Sequence, residues 1–171
     1  MTTALYVPQI PDSLNIRFVE NRIVVNRPVQ EVYDWATTWP NLPKWLPMAS
    51  GTEVRRGTAD VPAELGDVLL ETIVPDLNEK PKLYSVVARV PGKLWTVAGR
   101  DVLDDGTLVP SLYAIATFTT FDLGDGTTLF CRLFERLVPP TEPAGAHPVE
   151  DPARIQPGLE LLKAHLEGTA E

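Results

Sequence analysis

IVVNRPVQEVYD, residues 23–34, and WPNLPKW, residues 39–45, carry the end of one element into the start of the next. The β-branched run Ile23–Val25 stops at Asn26. Pro28 follows where a helix can begin, because its fixed φ suits a first helical position and its missing N–H would find no partner there. Glu31 falls in the first turn, where a carboxylate suits the positive end of the helix dipole. Val32, Trp35 and Ala36 supply an apolar face, which predicts a short helix through about Thr37. Trp39–Leu46 reads as a second short helix, broken by Pro40, Pro43 and Pro47.

Upstream, Asn15–Asn26 is rich in Ile, Val and Phe and reads as a first strand, with a bulge expected near Asn21. Downstream lie five strand candidates, 67–74, 82–90, 94–101, 112–122 and 127–138, with a weaker one over 51–56. Pro91-Gly92 and Gly124-Asp125-Gly126 mark hairpin turns. The last predicted element is a helix over 157–167, stopped by Gly168, with Ile155, Leu159, Leu162 and Leu166 on one face. A strand, two short helices, an antiparallel meander and a final helix make an α+β domain over residues 15–171, preceded by a tail over residues 1–14.

The chain of 171 residues is 44% hydrophobic, which excludes disorder by composition. Its 23 acidic and 15 basic side chains give a net charge of −8. That sign speaks against nucleic acid and against an anionic membrane surface. No run approaches the ~20 apolar residues that span a bilayer, and residues 1–10 lack the basic start of a secretory signal. Cys131 is the sole cysteine, which fits a reducing compartment, so a cytoplasmic location is expected. Of the 17 prolines, eleven cluster in the stretches 6–11, 39–47 and 139–157, the last of which reads as a stiff connector.

The two opening stretches, with PGKLW at 91–95 and GDGTTL at 124–129, resemble the SRPBCC superfamily, which includes START lipid-transfer domains and polyketide cyclases. The likeness runs over roughly residues 15–168. It implies a helix-grip fold: a curved antiparallel sheet of about seven strands wrapped around a long C-terminal helix, with two short helices after the first strand. It also implies an internal cavity for a hydrophobic small molecule. The connector over 139–154 is longer than the family's usual step into its last helix and is expected to lie over the cavity mouth.

Hairpin lengths predict which side chains face inward. A two- or four-residue turn at Pro91-Gly92 puts Tyr84, Val86 and Ala88 on one face with Trp95, Val97 and Gly99. The same reasoning puts Ala114, Ala116, Phe118 and Thr120 with Leu129, Cys131, Leu133 and Glu135. A three-residue turn at 124–126 would reverse the last strand and bring Arg132 and Arg136 inside. On the first register Glu135 is the one carboxylate among apolar neighbours and is the candidate catalytic acid, with Tyr84 and Tyr113 as further proton carriers. The candidate ligand-binding residues are Trp45, Tyr84, Trp95, Ala116, Phe118, Leu133 and Leu162.

The chain has no phosphate-binding loop, nucleophile elbow or metalloprotease motif. One cysteine and two separated histidines make a zinc site improbable. No metal and no cofactor are expected. His147 is expected in an exposed loop, His165 at the edge of the last helix, and Cys131 as an inert inward thiol. The expected partner is a hydrophobic small molecule, with no nucleic acid and no stable membrane insertion; a homodimer stays open. Three functions fit: a polyketide-cyclase-like enzyme acting on a polyketide or aromatic, a lipid or isoprenoid carrier, and an interaction domain with a filled interior. Converging proton-transfer groups would favour the first, a smooth apolar tunnel the second, and no cavity the third.

Overall fold

The computed structural model describes residues 14–77, 79–109, 113–145 and 147–169. Residues 1–13 of the expected tail, and Leu112 at the expected start of a strand, lie outside the described residues. The strands are β1 (Asn15–Val25), β2 (Ala49–Arg56), β3 (Val68–Ile73), β4 (Lys82–Val90), β5 (Leu94–Asp101), β6 (Ala114–Gly124) and β7 (Thr127–Val138). They form one antiparallel sheet in the order β1-β7-β6-β5-β4-β3-β2. After β1 come α1 (Val29–Thr37), one 3-10 turn (Trp39–Asn41) and α2 (Leu42–Trp45). The chain closes with α3 (Pro152–Glu167). This is the helix-grip arrangement.

The final helix begins five residues earlier than the proline pattern predicts. Asp151 caps it, its Oδ1 accepting the Ala153 N–H at 2.9 Å, and Pro152 takes the first helical position. Pro157 therefore lies inside the helix, where its missing N–H forfeits a backbone bond. Gly168 ends α3 in the left-handed region at φ 73°. Ile155, Leu159, Leu162 and Leu166 are all buried against the sheet and short helices.

The expected bulge near Asn21 is absent: β1 pairs with β7 without a break from Asn15↔Val138 to Val25↔Thr128. Asn21 points inward and ties β1 to α3, its Nδ2 donating to the Pro152 carbonyl and to Gln156 Oε1. On the open edge of β1, α3 returns the favour. Gln156 Nε2 donates to the Arg22 carbonyl at 3.4 Å, and Lys163 Nζ donates to the Val24 carbonyl at 3.0 Å.

Two irregularities set the sheet's faces. Between β4 and β5 the turn spans three residues, Pro91–Lys93, since Val90 pairs with Leu94. A bulge between Val86 and Ala88 then adds a second one-residue shift. The two shifts cancel for Tyr84 and Val86, which face inward with Gly99 and Val97 as expected. They do not cancel for Ala88, which lies opposite Thr96 on the outer face and puts Arg89 in phase with Trp95.

Between β6 and β7, Asp125-Gly126 makes a two-residue turn with both φ positive, at 54° and 73°. Leu123 is the extra residue, and the Asp122 side chain accepts the Gly124 N–H across it. That single insertion moves every β7 side chain to the other face. Phe130, Arg132, Phe134 and Val138 are buried inside, while Leu133 and Glu135 lie outside with Cys131.

Gly158 sets how closely α3 approaches α2. A Cβ there would stand 2.3 Å from the Trp45 carbonyl oxygen and 2.7 Å from Pro47 Cδ. Backbone cannot yield as a flexible side chain does, so Gly158→Ala must lift the helix. The expected loss is about 1–3 kcal/mol of unfolding free energy, measured by urea denaturation at constant m-value. A variant as stable as the parent would show that the contact is not tight.

Candidate functional site

The inner wall has an apolar end and a charged end. Trp95 stacks on Phe118 with centroids 4.8 Å apart and tilts against Trp39 at 5.0 Å. Trp45 meets Phe118 and Phe130 edge-on, each at 5.8 Å. Small side chains leave room beside this cluster. Ala114 and Ala116 line the sheet, and Gly99 lets the Tyr84 ring lie across β5, where any Cβ would come within 2.3 Å of that ring.

Two adjoining inner cavities result. The apolar one, about 30 Å³, is bounded by Trp39, Leu42, Leu69, Trp95, Ala116 and Phe118. The polar one, about 20 Å³, is bounded by Met48, Glu79, Lys82, Tyr113 and His147. Leu46, Glu71, Tyr84, Arg132 and Phe134 border both. Each holds about one water. A wider groove of about 280 Å³ lies outside, lined by Pro47, Val74, Asp76, Pro148 and Arg154, and shares Met48 and Leu77 with the polar cavity.

The charges separate into a closed set and an open pair. Lys82, 2% exposed, donates to Asp101 at 2.6 Å and Glu79 at 2.7 Å, and sits over the Tyr113 ring. His147 Nε2 meets the other Glu79 oxygen at 2.5 Å. The His147 contact, with Lys82, holds the Glu79 carboxyl down at about 2 despite its burial. Glu71 and Arg132, 3% and 1% exposed, are the open pair: they border the same cavities and feel each other's charge without an ion-pair contact. Glu71 Oε1 and Arg132 Nε and Nη1 find no hydrogen-bond partner among the described residues. Burial pushes Glu71 up to about 7, against the pull of Arg132 and Lys82, and burial lowers Arg132 to about 10. Burial likewise keeps the Tyr84 and Tyr113 phenols protonated.

A profile of the family described as polyketide cyclase / dehydrase and lipid transport matches residues 18–167. The chain belongs to this family. Solved structures share the polyketide cyclase / dehydrase fold at low identity. Norcoclaurine synthase of Thalictrum flavum, in complex with dopamine and hydroxybenzaldehyde, is 15% identical over 93% of this chain and 91% of that one, with a TM-score of 0.62. A START superfamily protein of Mycobacterium smegmatis is 13% identical over 90% and 99%, at 0.63. A Chromobacterium violaceum protein is 20% identical over 88% and 97%, at 0.59. No curated protein matches the chain.

Among the residues singled out from sequence, Tyr84, Trp95, Ala116 and Phe118 border the apolar cavity. Trp45 and Leu162 are fully buried in the core and border neither inner cavity. The bulge at Leu123 places Leu133 and Glu135 on the outer face, so Glu135 is not a cavity acid. The same shift puts Cys131 outside. His147, expected in an exposed loop, is 8% exposed and packs on Tyr113. His165 is exposed and stacks on Trp35.

Glu71 and Arg132 were missed as the central pair. Glu71 carried a readable signal as the one charge in the inward series Leu69, Glu71, Ile73. Arg132 carried a weaker one, because both phases of β7 are apolar. Among the described residues no cluster of His, Cys, Asp or Glu is placed to hold a metal ion, and no helix is long and apolar enough to cross a membrane.

A carboxyl raised above its unfolded value contributes stability that is complete below pH ~4.5 and lost as pH rises through about 7. The loss is on the order of 3 kcal/mol. Glu71→Gln should flatten this dependence and be the more stable protein at pH 8. Parallel denaturation at pH 5 and pH 8 measures it, and equal slopes in both proteins would contradict a desolvated Glu71.

Proposed function

We propose that the protein binds an apolar small molecule carrying a carbonyl in the space between the sheet and the segment over residues 39–48, and that Glu71 moves a proton beside that carbonyl. The observation that carries this is the buried, unpartnered Glu71–Arg132 pair at the junction of the two inner cavities. An acid near neutrality both gives and takes a proton at physiological pH. Arg132 favours negative charge building on a carbonyl oxygen in a site shielded from bulk water. The reaction that fits is a dehydration of the kind that closes and aromatises a polyketone. The Glu71 carboxylate takes the proton from the carbon next to the carbonyl. The carbon–oxygen bond at the β-carbon breaks, and the departing hydroxyl leaves as water with the proton that Glu71 returns. The family description, polyketide cyclase / dehydrase and lipid transport, supports this class. Its transport half is favoured less, because a carrier has no need of a charged focus.

Binding must open the structure, since the inner cavities hold a water each and a small-molecule site needs ~300 Å³ or more. The outer groove offers the way in. Met48 and Leu77 stand between it and the polar cavity, and Pro148 of the connector and Arg154 of the first turn of α3 line it. The connector is held down where His147 meets Glu79 and where Arg136 pairs with Glu142 and Glu150. It therefore acts as a stiff lid over the mouth.

A β-hydroxy aryl ketone, such as the aldol adduct of acetophenone and benzaldehyde, tests the reading by the absorbance of its conjugated product. Dehydration should saturate with substrate and fall at least about a hundredfold in Glu71→Gln, while tryptophan emission still reports binding. Saturable binding without dehydration would favour the carrier. No binding at all would favour an interaction domain with a filled interior.

A further inference from the structure

We infer that the occupant of this cavity is an organic acid, an otherwise apolar molecule whose carboxylate is held by Arg132. The inference rests on the binding reading above and not on the proton transfer. Hydrogen-bonding capacity left over inside the protein specifies what a ligand must bring, because an unpartnered buried group costs free energy until something meets it. Among residues bordering the inner cavities, the unpartnered buried atoms are four N–H donors and one acceptor. The donors are Trp39 Nε1, Trp95 Nε1 and Arg132 Nε and Nη1; the acceptor is Glu71 Oε1. A ligand that completes this set is rich in acceptors and poor in donors.

Charge narrows the class further. The other buried cation, Lys82, already has two carboxylates, and Glu79 serves His147 as well. Arg89 and Arg136 pair with Glu64 and with Glu142 and Glu150. Arg132 touches the Phe134 ring but has no carboxylate within ion-pairing distance among the described residues. Glu71 cannot supply the missing charge in full, since it is part-neutral near pH 7. A guanidinium binds a carboxylate through two parallel bonds, and a buried charge pair of this kind is among the strongest polar contacts a protein makes. The chain as a whole carries −8, so its surface does not draw an anion in. Attraction is local, with Arg154 beside Asp76 among the groove's lining residues and Arg132 in the inner cavities behind Met48 and Leu77.

Octanoate, methyl octanoate and octan-1-ol, with the matching 3-phenylpropanoate set, test this by quenching of tryptophan emission. In the wild type the acid should bind at least tenfold more tightly than its ester or alcohol at pH 6. Arg132→Gln should bring the acid-to-ester ratio close to one, and Arg132→Lys should give a value between.

A second arm needs no Arg132 variant. The groups around Glu71 are Lys82 and Tyr84 on β4, Arg132 on β7, Asp101 on β5, and Tyr113, Glu79 and His147 beyond them. A bound anion beside Glu71 favours its protonated form. Octanoate affinity should therefore fall up to tenfold per pH unit above about 7, and ester affinity should not. Glu71→Gln should abolish that slope, whereas His147→Gln should keep it. Equal affinity for acid and ester, or an acid preference that survives Arg132→Gln, would overturn the assignment and leave the binding reading standing. Absence of saturable quenching by every probe would overturn both.

Discussion

The residue inserted at Leu123 governs the interior of this protein. β7 lies between β1 and β6, so its phase fixes what the sheet shows to the helix across three neighbouring strands. With Leu123 looped out, Arg132 stands opposite Phe118 and Asn21 on the inner face. Asn21 then reaches α3, and Phe130 completes the cluster around Trp45. Without the insertion Cys131, Leu133 and Glu135 would take the places of Arg132 and Phe130 on the inner face, and the aromatic packing around Trp45 could not form. One bulge thereby couples the position of a buried charge to the packing of the aromatic cluster.

The interior tolerates that charge at a cost. Removing a carboxylate and a guanidinium from water costs several kcal/mol each, and imperfect pairing recovers only part of it. Compensation lies in the surroundings. The rings of Trp39, Trp45, Trp95, Phe118 and Phe130 and four α3 side chains supply apolar burial elsewhere in the same core. A core built for stability alone would place a leucine at position 71 or 132. Two buried charges with unpartnered atoms set this space apart from an ordinary packing defect.

The fold was legible in the sequence because its signals are local. Pro28 and Glu31 start α1, Pro91-Gly92 and Asp125-Gly126 mark turns, and the leucine spacing marks α3. Its first turn was not, since two prolines compete for the opening position and only the Asp151 cap decides for Pro152. Tyr84 and Trp95 were placed on the correct face by two shifts that offset each other. Glu135 was misplaced by one shift that nothing offsets. Face assignment across a hairpin is a parity, so an undetected bulge inverts it completely, and bulges leave little trace in a strand that is apolar in both phases. The burial of His147 depended on a contact with Glu79, 68 positions away, which no local pattern encodes.

The side chains of α3 that reach the rim of β1 bear on how the protein behaves at high concentration. An outermost strand offers unpaired carbonyls to any extended chain that approaches, and such edges seed aggregation. Gln156 and Lys163 already occupy the Arg22 and Val24 carbonyls. At the opposite border, β2 breaks its register twice and carries Glu53, Arg55 and Arg56. A second copy adding its strand to the C-terminal half of β1 would first have to detach the helix. The contacts that seat α3 against the sheet therefore also hinder that sheet from growing into a fibre.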